Sequence, residues 1–140
     1  MRRTIFCAIG LLSIFCIPTV QACGHCVEDK IAAVYDFAVV SRAQALHQHV
    51  AFVALDGAVK NDARTHAAIT GIVQKAEGVE RASVRVSLEL AAFSFAYDPK
   101  RASFAVIHRS IGRQLSHAGL RISEIKILDG SGPVQRTADR

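Results

Sequence analysis

Apolar positions recur along this chain with two periods. Across residues 27–46, Val27, Ile31, Val34, Tyr35, Ala38 and Ala45 return at helical spacing. Glu28 and Asp29 fall in the first turn, where the helix macrodipole favours anions. Phe37, Val39 and Val40 broaden the apolar face, so this helix is expected to pack against other structure. Residues 49–56, HVAFVALD, are apolar nearly throughout and predict a buried central strand. A loop at 57–61 leads to a second helix over 62–77, with Ile69, Ile72, Val73 and Ala76 as its stripe and Gly78 as its stop. Residues 82–97 alternate with period two, but the phase changes. Val84, Val86, Leu88 and Leu90 share one parity; Phe93, Phe95 and Tyr97 share the other. One strand cannot exchange its faces without a break. A turn or bulge is therefore expected at 90–92, giving a hairpin, although the usual Gly or Asn turn signal is missing. Ser103 is a good N-cap for a helix over 104–118, with Phe104, Ile107, Ile111 and Leu115 along one side and Gly119 at its end. Residues 120–128 read as a last strand carrying Ile122, Ile125 and Ile127.

After the first helix the order is strand, helix, strand, strand, helix, strand. That order predicts an α+β protein. Two split βαβ units form a ferredoxin-like βαββαβ sandwich, one antiparallel sheet covered on one face by two helices. The additional N-terminal helix would lie against the open face of the sheet or beside the two helices. Residues 129–140 are polar and rich in turn formers, as a disordered tail would be.

The first 22 residues have the three parts of a secretory signal. Arg2 and Arg3 form the positive region, 5–17 is an uncharged apolar run, and Pro18 precedes small or apolar residues up to a cut after Ala22. The run holds 13 residues, whereas a bilayer core needs about 20. An uncleaved anchor is the competing reading. A second processing route is also open: Val20-Gln21-Ala22-Cys23 resembles a loose bacterial lipobox, which would place lipid on Cys23 and tie the protein to the cell envelope. The chain thus divides into a signal at 1–22, a cysteine segment and helix at 23–48, a sandwich at 49–128 and a tail at 129–140. A periplasmic or secreted location follows from the export reading.

Loss of Arg2 and Arg3 leaves fifteen basic and twelve acidic residues, a net charge of +3. The charges are scattered and not interleaved with aromatics, so no nucleic-acid surface is read. No G-x-S-x-G, phosphate-binding glycine loop or H-E-x-x-H occurs. No catalytic residue is assigned and an enzyme is not expected.

Residues 50–127 resemble the heavy-metal-associated domain of copper chaperones, metal-transporting ATPases and mercury-binding periplasmic proteins. The resemblance rests on Ile69 followed by Gly78-Val79, the alternating hairpin, Tyr97-Asp98-Pro99, Ser103 opening a helix and Ala118-Gly119 closing it. It implies a ferredoxin-like fold and a metal transporter or acceptor protein as partner. The family's Met-x-Cys-x-x-Cys loop is not matched. Counted back from Ile69, its cysteine positions fall on Asp62 and Thr65, neither of which supplies a thiolate.

The thiols lie elsewhere. Cys7 and Cys16 leave with the signal, so Cys23-Gly24-His25-Cys26 holds the only pair in the mature chain. A C-x-x-C at a helix start has its thiolates favoured by the macrodipole. Two thiolates suit two-coordinate Cu(I), while tetrahedral zinc needs further ligands. The expected site is Cys23 and Cys26 with the imidazole of His25, holding a soft heavy-metal ion, with copper the best fit. A free amine at Cys23 followed by His25 could also wrap square-planar Cu(II) or Ni(II). Two other readings stand beside metal capture. Cys-Gly-His-Cys is the active-site tetrapeptide of protein disulfide isomerases, though no strand or tryptophan precedes it here. The pair could also form a local disulfide in a non-catalytic adaptor.

Overall fold

Six consecutive residues of one strand, 50–55, are buried, and the cause is a sheet covered on both faces. A computed structural model of the protein describes residues 27–131. The candidate signal, Cys23, His25, Cys26 and residues 132–140 lie outside them.

The elements are α1 (Val27–Val34), α2 (Phe37–Ala45), β1 (His49–Asp56), α3 (Ala63–Lys75), β2 (Arg85–Ser87), β3 (Ala92–Tyr97), α4 (Phe104–Ser116) and β4 (Arg121–Leu128). The protein is α+β. Its four strands form one antiparallel sheet in the order β2-β3-β1-β4, compatible with a ferredoxin-like sandwich. Alternation along β1 assigns its residues to two cores. Ala51, Val53 and Leu55 join Phe93, Phe95 and Tyr97 under Ile69 and Val73 of α3 and Ile107, Ile111 and Leu115 of α4. Val50 and Phe52 join Ala92 and Ala96 under Val34 of α1 and Val40 and Ala43 of α2.

The single helix expected over 27–46 is two helices. Asp36 has extended backbone (φ −130°, ψ 113°), and its carboxylate accepts the N–H groups of Ala38 (2.9 Å) and Val39 (3.2 Å). It is an N-cap, and the helix restarts there. The end of α1 is held from the sheet, where the buried Ser94 hydroxyl donates to the Val34 carbonyl at 2.6 Å.

The phase change in 82–97 is a hairpin. Arg85 pairs with Ser94, Val86 with Phe93 and Ser87 with Ala92. A four-residue turn at 88–91 joins the strands, with Ala91 in the left-handed region (φ 48°) where Gly or Asn is usual. Strand β2 is shorter than its alternation suggested, because Arg81–Ser83 forms a 3-10 turn. Ser83 compensates there: its hydroxyl accepts the Ala96 N–H at 2.7 Å, in place of a strand carbonyl. On the other side of the sheet, β4 shifts register against β1 between Phe52 and Val53. The irregularity lets Ile125 face the α1–α2 core while Ile122 and Ile127 face the other.

Two helix ends follow the sequence closely. Asp62 caps α3, and Gly119 beyond α4 takes φ 72°. Ser103 stands at the N-cap of α4 but makes no side-chain capping bond. Gly71, inside α3, has nothing within 4 Å of an added Cβ. Glycine in a helix costs roughly 0.5–1 kcal/mol against alanine. Gly71→Ala is therefore expected to raise stability by about that amount in urea unfolding, and a loss would show that α3 is strained at this position.

Candidate functional site

The thiol pair precedes α1 directly in sequence. Cys23, His25 and Cys26 lie outside the described residues, and α1 begins at the next position, Val27. Its first turn carries Glu28 and Asp29, both exposed. Lys30 and Ile31 are half-buried, Ala32 and Ala33 are exposed, and Val34 is 2% exposed. Among the described residues no group of three or more His, Cys, Asp or Glu side chains is placed to hold a metal ion.

The loop before α3, which the resemblance would equate with a cysteine loop, makes a helix cap. The Asp62 carboxylate accepts the Thr65 N–H at 2.7 Å and caps α3. Asp62 and Thr65 are thus bonded to each other, and the chemistry is that of a hard oxygen acceptor at a helix start. A soft metal ion does not fit this donor set.

The histidines are dispersed. His47 has φ 53° in the turn after α2. His49 opens β1 and meets Tyr97 edge-on, with Nδ1 3.4 Å from the phenol oxygen. Burial, and secondarily the Glu124 carboxylate, raise the Tyr97 pKa above its ordinary value. His108 lies against Phe104, and His117 ends α4. His66 lies near the start of α3. It is exposed, because the buried stripe of α3 runs through Ile69 and Val73 and leaves His66 on the flank toward β2.

Comparison with protein-family models, with curated proteins and with solved structures returned no match.

Sequence reasoning did not find the trough along the outer edge of β2. One part, about 260 Å³, is lined by Tyr35, Asp36, His66, Thr70, Arg85 and Val86, among others. The next part, about 440 Å³, is lined by Asp62, His66, Ser87 and Glu89 among others, so His66 belongs to both. One wall is α3; at the first part the other is the end of α1 with Asp36. Arg85 spans this end, 2.8 Å from the Asp36 carboxylate and donating to the carbonyls of Ala82 and Val84. The Thr70 hydroxyl oxygen is buried without a hydrogen-bond partner among the described residues. Only the clustering of Asp36, His66 and Arg85 on separate elements marks the trough, and no spacing in the sequence reveals that.

Two carboxylates here give stability a pH dependence. The N–H of Val39, then the Arg85 guanidinium, hold the Asp36 carboxyl below its ordinary range. The Thr65 N–H and hydroxyl do the same for Asp62. Both folded pKa values are lower than the unfolded ones, so the contribution is complete above the ordinary aspartate value of 3.8 and is lost as pH falls below it. Acid unfolding of an Asp36→Asn/Asp62→Asn variant should depend less steeply on pH in that window. An unchanged slope would show that neither cap contributes.

Proposed function

We propose that this is an exported metal-binding protein that captures or hands on a soft heavy-metal ion, copper being the best fit, through Cys23 and Cys26 with His25 beside them. The observation that carries the reading is the Cys-Gly-His-Cys sequence immediately ahead of α1. A helix start favours thiolates. Two thiolates at this spacing match Cu(I), and the ion is cargo rather than part of the fold. Glu28 and Asp29, exposed one turn on, add negative charge that favours a cation.

The proposal extends to ancestry. Strand order β4-β1-β3-β2 with α3 and α4 on one face supports a ferredoxin-like sandwich of heavy-metal-associated type, with α1 and α2 as its addition. On this reading the ancestral loop has become a helix cap, and the thiols have moved to the start of a different helix. The partner is then a metal transporter or acceptor protein. The location is the periplasm or beyond, with membrane attachment only if Cys23 carries lipid.

The test is competition for Cu(I) between the reduced protein and a chromophoric chelator. The parent is expected to hold one ion, and Cys23→Ser/Cys26→Ser is expected to release it to the chelator. Equal affinity in the double variant would end the proposal. Intact mass of the exported protein separates a free Cys23 from a lipidated one.

A further inference from the structure

The thiol pair does not account for the trough along β2, and the trough has the form of a peptide-binding site. β2 ends the sheet, and its outer edge pairs with no strand among the described residues. Such an edge presents main-chain N–H and C=O groups that another strand can complete. Most edges this short are simply blunt. This one lies beneath α3, with the end of α1 and Asp36 on its far side, and has open volume along residues 84–89. An edge strand beside a helix, with a channel between them, is the geometry in which an extended segment adds to a sheet while its alternate side chains enter pockets.

Two further features bear on the occupant. Arg85 is committed to Asp36 and to two carbonyls, so it offers little to an anion. At the other end Glu89, and Asp62 beside its capping bond to Thr65, line the channel with His66. The ionised groups lining that end are carboxylates, and they complement a basic side chain.

We propose that the trough binds an extended peptide segment of a partner protein, added antiparallel or parallel to β2, with a lysine or arginine directed to Asp62 and Glu89.

The probe is an acetylated, amidated hexapeptide alternating threonine and valine with one central lysine, titrated to millimolar concentration into the purified 15N-labelled protein. Amide shifts should be confined to residues 84–89 and to the 62–70 flank of α3. A version of the peptide N-methylated at alternate amides should bind at least tenfold more weakly, because it cannot complete the ladder. Exposed Glu89→Lys should also weaken binding at least tenfold while leaving the rest of the spectrum in place. The proposal is overturned if no shifts appear, if they lie away from β2, or if the N-methylated peptide binds equally well. A concentration-dependent dimer joined at β2, seen by sedimentation and by the same amides, would replace the partner with a second copy and overturn it too.

Discussion

Phe52→Ala is expected to remove about 3–5 kcal/mol of stability, the usual loss when a buried phenylalanine is truncated in a core. Phe52 is 1% exposed and lies at the centre of β1, the strand hydrogen-bonded on both sides. Its ring stacks near Tyr35 at 6.4 Å between centroids and packs with Val34, Val40 and Ala43. Most domains have only 5–15 kcal/mol in total, so the variant should be largely unfolded in moderate urea where the parent is folded. The substitution also tests the three-layer arrangement. If α1 and α2 did not cover this face, Phe52 would lie near solvent and its truncation would cost under about 1 kcal/mol. A loss that small in denaturant unfolding would contradict the packing.

Gly78→Ala is the second large effect. Gly78 is buried with φ 84°, and its carbonyl accepts the Asp98 N–H at 3.1 Å. An alanine there incurs roughly 1–2 kcal/mol for left-handed backbone. It also brings a Cβ within 2.9 Å of the Ala102 Cβ, and such overpacking costs about 1–3 kcal/mol more. The two contributions can be separated. Ala102→Gly in the same chain removes the clash but not the backbone cost, so it should restore only part of the loss. Full restoration would mean that the left-handed conformation carries no penalty; no restoration would mean that the clash does not occur.

What the sequence revealed and hid follows from local physics. Strand β1 was legible because burial on both faces leaves no polar alternation to misread. The hairpin was legible because a parity exchange between Leu90 and Phe93 permits no single strand, even though Ala91 occupies a place where glycine would have announced the turn. The break between α1 and α2 was hidden because apolar spacing runs through Tyr35 unbroken, while the interruption comes from one capping carboxylate at Asp36. The short β2 was hidden for a similar reason: Ser83 substitutes a hydroxyl for a backbone acceptor, and alternation does not register that exchange. At the thiol pair, spacing gives a reading that rests on the sequence and on the start of α1. The trough was beyond spacing altogether, since it depends on which strand terminates the sheet.

Helix α1 is fastened to the sheet at its C-terminal end. The Ser94 hydroxyl donates to the carbonyl of Val34 and so ties the last turn of α1 to β3. An eight-residue helix spans about 12 Å. Ile31 and Val34 both pack on the Phe52 side of the sheet, so release of the Ser94–Val34 bond would uncover that face of β1 along with the helix. One hydroxyl on β3 thus acts as a latch for the layer that α1 contributes.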